Sequence, residues 1–360
     1  MSRLPTPLTL TDRGEKRGPR TRPRLLAGNG GTKPGSPPGR GAPRRRIRQE
    51  TATAWAFISP SVLVILGLSV VPVVWSLLLS FQADDLVTPS RWVGLDNYRA
   101  LAQDPHFDEA VRNTIVYTAL YVPLSIGIGL LLALALNRRI RLVGLYRTLI
   151  FVPFVISAAA QGVLFSFILD PEFGAANAVL NEFGISRQGF FSDPGQALFA
   201  LLAISLWSGT GFCVVVLLAA LQDVPPSLTE AARLDGAGHL QLLRHVVLPT
   251  LTPVMTFLLL WQTITSLQVF DLVYVTTKGG PLGSTTVIVY FIWEQAFKNF
   301  TAGYGAAAAY ALAVALLLLT VVPRAVRALR DRVRPDRRPG RSLDKHVDKH
   351  VDQHLEGAAR

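Results

Sequence analysis

Six long stretches of the chain contain no Asp, Glu, Lys or Arg, and this pattern limits the possible folds more than any other feature. An α-helix rises about 1.5 Å per residue, so roughly 20 apolar residues cross a hydrocarbon core about 30 Å thick. Backbone groups in lipid must be hydrogen-bonded internally, and the stretches do not alternate as barrel strands do. We therefore predict an all-α membrane protein with six transmembrane helices at 55–81, 114–136, 148–169, 196–222, 251–270 and 302–323.

The distribution of basic residues predicts how these helices are oriented. Of the 36 Lys and Arg residues, 30 lie in the two termini and in the connections 137–147 and 223–250. An even number of spans places these four segments on one side, and basic flanks stay in the cytoplasm. We expect both termini inside the cell and cationic loops beside membrane lipid. Because this orientation accounts for the net charge of +12, we expect no nucleic acid as a partner.

Composition divides the chain into three parts. Residues 1–50 are rich in Gly, Pro and Arg and are predicted to be a disordered basic tail, followed by a membrane domain at 51–330. The single cysteine, Cys213, falls inside an apolar stretch and is interpreted as a small apolar residue. Residues 331–360 are predicted to be a second basic tail. It contains three histidines four residues apart, His346, His350 and His354, which we interpret as part of a solvated tail in preference to a metal site.

The connection 223–250 is predicted to form two short helices with a bend between them. The residues from Ser227 to Glu230 have the spacing of a capping box at the start of the first helix. Gly236 and Gly238 would interrupt the helix. A second helix follows, and Pro249 is expected to close it and turn the chain into the fifth span.

This connection also carries a longer pattern: Glu-Ala-Ala, three residues, Gly, nine residues, Val, one residue, Leu-Pro. It resembles the EAA loop of ABC importer permeases, which has Ile where this chain has Val246. The resemblance implies a short helix that docks on a cytoplasmic ATPase and couples it to the membrane domain. Read residue by residue, the coupling element is Glu230, Ala231, Ala232, Asp235, Gly236, Ala237, Leu248 and Pro249. Taken singly, Glu230 could be only a helix cap and Asp235 only a surface charge.

The chain has no Gly-x-x-x-x-Gly-Lys-Ser/Thr sequence with which to cradle ATP. We therefore expect a non-catalytic transport subunit with no cofactor of its own, while ATP and Mg²⁺ bind to a separate ATPase. The residues offer no catalytic or metal-binding set.

Further segments are similar to the first of the two unlike permeases in maltose- and glycerol-phosphate-type systems. That resemblance implies a bacterial plasma-membrane importer of a sugar or related solute. It also implies a heterodimer with a second permease, two ATP-binding subunits and an extracytoplasmic solute-binding protein. The similar segments are 92–98, 113–114, 151–154, 173–177, 279–281 and 296–297.

Polar residues inside the apolar stretches indicate a solute path. On the fifth span, Gln262, Thr265 and Ser266 have the i, i+3, i+4 spacing of one helix face. On the fourth span, Gly209 allows a bend and Phe212 offers a ring that could stack on a sugar. Hydrogen bonds between helices would explain the same polar residues equally well.

Two other classes of protein remain as alternatives. An ion-coupled secondary transporter normally needs ionisable groups at membrane depth, and a membrane-embedded enzyme needs convergent acid–base groups near one face. None of the six stretches contains an acidic or basic residue, and Asp271 lies just beyond the fifth. The pattern in 223–250 is explained by neither alternative.

Overall fold

The computed structural model describes residues 43–85, 89–138 and 141–333. The C-terminal histidines and most of the predicted N-terminal tail lie outside these residues. The first helix begins at Pro43, so the predicted boundary at residue 50 falls inside a helix. Residues up to 63 belong to one compact unit and those from 64 onward to a second; the packing described below lies within the second.

The described chain is helical apart from short loops and one two-stranded ladder. The ladder pairs β1 (Gln82–Ala83) with β2 (Arg91–Trp92) in antiparallel fashion. In chain order the helices are α1 (Pro43–Ile65), α2 (Val71–Leu79), α3 (Asp96–Leu101), α4 (Pro105–Leu136), α5 (Val143–Val155), α6 (Ala158–Ile168), α7 (Ala175–Glu182), α8 (Ala197–Gln222), α9 (Pro226–Leu234), α10 (His239–Leu242), α11 (Leu248–Leu267), α12 (Asp271–Val275), α13 (Ile288–Trp293) and α14 (Ala302–Val333).

Within the described residues, five helical runs are long and apolar enough to cross a membrane. They match the first, second, fourth, fifth and sixth predicted spans to within two residues at the ends that fall short: Ala54–Leu79, Pro105–Leu136, Ala197–Gln222, His239–Val275 and Ala302–Val321. The third span was predicted as one uninterrupted helix, and this is wrong. It consists of α5 and α6, which meet at an angle of 97° and complete the set of six if they cross as one broken span.

The break between α5 and α6 is held by one side chain. Pro153 and the extended backbone at Ile156 end the first helix, and Ser157 caps the second. Carbonyl groups freed at such a break need donors, because unpaired backbone groups are costly in an apolar medium. Gln161 Nε2 donates to the carbonyl of Ile156 at 2.8 Å and to that of Pro153 at 3.1 Å, and the Pro153 carbonyl also accepts from the N–H of Ile156.

The core forms where α4 packs along α8, with α5 and α11 against the same pair. α4 and α8 approach closely at Gly129, where an added Cβ atom would stand 2.6 Å from the Cβ of Cys213. On the other side of α8, a Cβ atom on Gly211 would collide with the carbonyl oxygen of Ile150. Small residues therefore set the spacing of these helices, as is usual in membrane bundles.

Three asparagines fix the loops between the membrane helices. Each lies in or beside a segment that resembles the permease family, and each donates from its side-chain amide to two backbone carbonyls. The pairs are Asn97 with Ser80 and Gln82, Asn113 with Gly283 and Thr286, and Asn177 with Pro171 and Gln188. These segments position the loops, and none of the three asparagines lines the cavity described below.

Replacing Gly129 by Ala tests the close approach of α4 and α8. Overpacking of this kind costs about 1–3 kcal/mol, so the unfolding midpoint of the solubilised protein should fall. Gly127→Ala, two residues away, is the control. Its added Cβ atom meets open space, so its unfolding midpoint should not fall. Equal midpoints for the two variants would contradict the packing.

Candidate functional site

A cavity of about 290 Å³ lies among α4, the end of α5, α6, α8, α11 and the start of α12. Its walls combine aromatic rings with amides and hydroxyls, as small-molecule sites do. The residues around it are Tyr117, Tyr121, Phe154, Ile156, Ala158, Gln161, Ser205, Ser208, Gly209, Trp261, Gln262, Thr265, Ser266, Gln268, Val269, Phe270, Asp271 and Leu272.

Four of the five predicted path residues line this cavity: Gly209, Gln262, Thr265 and Ser266. Phe212 does not. Its ring lies behind the wall, 5.3 Å from the ring of Phe154 and 5.7 Å from that of Trp261, which both line the cavity. Phe212 therefore supports two aromatic walls, and the stacking surface it was predicted to offer belongs to its neighbours.

Gln262 is buried and joins three helices. It is 2% exposed, and its Nε2 lies 3.1 Å from Ser125 Oγ, 3.2 Å from Cys213 Sγ and 3.4 Å from Tyr121 Oη. The amide nitrogen is thus engaged within the protein, as the interhelical alternative requires. Cys213 is correspondingly part of a polar cluster as well as of the apolar core.

The remaining polar residues of α11 differ in what they offer to a solute. Ser266 is buried and donates to the carbonyl of Thr263 at 2.9 Å. Thr265 and Gln268 are exposed to the cavity. Gln268 was not predicted from the sequence, although it continues the face of Thr265 at i+3 and could have been found by extending that pattern to the end of the apolar stretch.

Sequence reasoning also missed the outer rim of the cavity. Phe270 begins a cluster of four aromatic rings with Tyr274, Tyr290 and Trp293. Burial raises the pKa of the Tyr290 phenol above its usual value. Asp271 lines the cavity beside this cluster, and among the described lining residues it is the single carboxylate, with no Lys, Arg or His.

The connection 223–250, which we call the coupling segment after its predicted role, begins differently from the prediction. Helix α9 starts at Pro226 with Pro225 at its N-cap, and no side chain caps it. The predicted capping box is therefore wrong, because Ser227 is already inside the helix, two residues after the N-cap position. Glu230 is exposed on the helix surface.

Gly236 ends α9 with a backbone conformation that favours glycine, φ = +82°. Its N–H donates to the carbonyl of Arg233, and the N–H of Ala237 reaches back to the carbonyl of Ala232, both at 3.0 Å. These two bonds are the pair of a Schellman motif, with Gly236 at C′. The turn requires a residue without Cβ, whereas Gly238 has an ordinary φ of −70°.

Pro249 does not close the second helix. The helical path from His239 to Leu267 is unbroken, and a π-helical turn at Leu243–Val247 precedes the proline. In that turn the N–H of Leu248 bonds to the carbonyl of Leu243. The wider turn lets the helix pass a residue that has no N–H. The same arrangement occurs at the start of α2, where a π-helical turn at Leu66–Val70 precedes Pro72.

Large apolar side chains of the coupling segment face solvent. Leu234 is 90% exposed and Leu240 is 76% exposed, one on each side of the Gly236 turn. Glu230 and Asp235 are exposed beside them. A mixed apolar and charged surface at the end of a helical bundle is typical of a protein contact.

Comparison with known proteins agrees with this architecture. Residues 125–335 match the family described as binding-protein-dependent transport system inner membrane component. The chain is 34% identical to the probable ABC transporter permease protein YesP of Bacillus subtilis over 77% of its length and 91% of that protein. It is 32% identical to the sulfoquinovosyl glycerol transport system permease protein SmoG of Agrobacterium fabrum, over 76% of this chain and 92% of SmoG.

The structure also resembles a chain of a bacterial alginate ABC transporter, crystallised with an alginate-bound periplasmic protein. The TM-score is 0.69 at 23% identity, covering 77% of this chain and 94% of the other, so the two share a fold. On the family match and the identities together, the chain belongs to the inner-membrane components of binding-protein-dependent transport systems. It is a multi-pass permease of the ABC class and a component of transport.

Two glutamines allow the structural and solute-binding roles to be separated. Gln262→Leu should lower the free energy of unfolding by about 1–2 kcal/mol, because interhelical contacts in membranes contribute roughly 0.6 kcal/mol each. Gln268→Leu should leave stability unchanged, since the residue is exposed, and should reduce uptake. Thermal unfolding and uptake of both variants are the measurements. If the Gln262→Leu protein were as stable as its parent, the role of Gln262 as a junction of three helices would be contradicted.

Proposed function

We propose that this chain forms half of the translocation path of an ABC importer for a neutral carbohydrate. A separate ATPase drives it through the segment 223–250. The observation that carries the proposal is the unbroken helical path from His239 to Leu267. It begins in the exposed coupling segment and reaches the cavity at Gln262, about 35 Å away at 1.5 Å per residue.

The coupling segment has what a docking element needs. The exposed Leu234 and Leu240 supply apolar contact, and Glu230 and Asp235 supply charge for orientation. The Schellman turn at Gly236 fixes the angle between α9 and α10. A rigid-body movement of the ATPase would therefore be passed to α11 and so to the cavity wall.

The proposed assembly contains a second, unlike permease, two ATP-binding subunits that hold ATP and Mg²⁺, and an extracytoplasmic solute-binding protein. Support comes from the family itself and from the related alginate transporter, which was captured with a periplasmic protein. The excess of basic residues beside 223–250 favours a cytoplasmic position for that segment and for both termini.

The solute class follows from the cavity. The rings of Phe154, Trp261 and Phe270 suit the apolar faces of a sugar, while Thr265 and Gln268 suit its hydroxyls. Asp271 would repel a phosphate or carboxylate, and no cation among the described lining residues offsets it. A neutral mono- or oligosaccharide or polyol fits this set better than a sugar phosphate.

The coupling role is tested with Gly236→Val. A side chain at a left-handed φ costs about 1–2 kcal/mol, a factor of roughly 5–30, and distorts the turn. ATP-driven uptake by the reconstituted complex should fall about tenfold, while the protein remains in the membrane. Glu230→Lys should act in the same direction by reversing a docking charge.

Gly238→Ala is the matched control, since its φ suits any residue and its added Cβ meets nothing closer than 3.7 Å. It should transport normally. Normal uptake by Gly236→Val, or failure of the purified chain to associate with any ATPase, would overturn the coupling proposal.

The solute class is tested by competition. Neutral sugars and polyols should inhibit uptake of the labelled solute, and sugar phosphates of the same size should not. Inhibition by the phosphates alone would contradict the assignment of Asp271.

A further inference from the structure

A second, larger hollow lies beside the N-terminal half of α11. It is a groove of about 720 Å³ between α4 and α11, lined by Pro123, Ile126, Gly127, Leu130, Arg244, Leu248, Pro249, Thr252, Met255, Thr256 and Leu259. The groove and the cavity lie at different heights along α11, since the groove residues of this helix end at Leu259 and its cavity residues begin at Trp261.

The wall of the groove is apolar even where the sequence is polar. The hydroxyl of Thr252 donates to the carbonyl of Leu248 at 3.2 Å, and that of Thr256 donates to the carbonyl of Thr252 at 2.8 Å. With both hydroxyls bonded inside their own helix, little in this wall would attract a sugar. An occupant of the groove must be mainly hydrocarbon.

One end of the groove is charged. Arg244 is exposed there, and within the described residues its guanidinium has neither an ion pair nor a hydrogen bond. None of the described lining residues is acidic. From Arg244 to Leu259 the helix rises about 22 Å, and Arg244 is the last charged residue before the apolar run. A cation therefore stands at the water boundary, above an apolar channel that descends into the membrane.

We propose that this groove, which we term the Arg244 groove, binds an anionic phospholipid. The guanidinium takes the phosphate, for which its planar donors are suited, and an acyl chain lies along Leu130, Met255 and Leu259. Basic pockets between membrane helices select anionic head groups in this way, with about 1 kcal/mol, or roughly a fivefold preference, per cation. The bound lipid would brace the helix that links the coupling segment to the cavity.

The test measures lipid retained by the full-length chain, purified with its companion subunits and incubated with nanodiscs of equal phosphatidylglycerol and phosphatidylcholine. Native mass spectrometry should show about a fivefold preference for phosphatidylglycerol. Arg244→Gln should remove the preference, and Gly127→Leu should displace the lipid, because Gly127 lines the groove with open space around it.

Two variants serve as controls. Arg141→Gln removes an exposed charge outside the groove, and Gly144→Leu adds the same side chain at another open glycine that does not line it. Both should retain the lipid. Equal retention of the two lipids by the parent protein, or unchanged selectivity in Arg244→Gln, would overturn the proposal.

A photoreactive residue at Thr256 separates lipid from protein as the occupant. Cross-linking to phosphatidylglycerol supports the groove as a lipid site. Cross-linking to the second permease instead of lipid would show that the groove is a subunit interface and would refute the proposal.

Discussion

Every interruption in this bundle is governed by the need to pair backbone polar groups where water is scarce. At the bend in the third span, Gln161 donates to the carbonyls of Pro153 and Ile156, which lie at the break. The π-turns before Pro72 and Pro249 let two helices continue past a residue with no N–H. The same constraint makes Gln262 a junction of three helices, since its amide must find partners inside the protein.

These backbone arrangements place the proposed ATPase contact and the cavity wall on one continuous helix. Because the π-turn preserves the helix through Pro249, the segment that would meet an ATPase and the wall of the cavity belong to the same helical path. Gly129 and Gly211 bring α4, α5 and α8 close together, so that path runs against a tightly packed core. The Gly236 turn between α9 and α10 lies outside this path, and two backbone hydrogen bonds close it.

The sequence predicts the helical spans well because lipid imposes long uncharged stretches that few other environments produce. It predicts the cavity face of α11 for the related reason that polar residues at i, i+3 and i+4 stand out in an apolar helix. The sequence prediction fails where several local backbone arrangements compete. Ser227 was predicted to cap α9, but Pro225 occupies the N-cap position. Pro249 was predicted to end a helix, but the π-turn before it lets the helix continue. Phe212 fails differently, since which of several neighbouring rings faces the cavity depends on packing between α5, α8 and α11.

The central claim is that the coupling segment and the cavity wall move as one body. Spin labels at Leu240 and Thr265, both exposed, measure it directly in the reconstituted importer. The account predicts one narrow distance distribution, near the helix rise of about 38 Å, that is the same in the nucleotide-free and ATP-trapped states. A separation that shifts or broadens when ATP binds would show that the helix bends at the π-turn and would contradict the account.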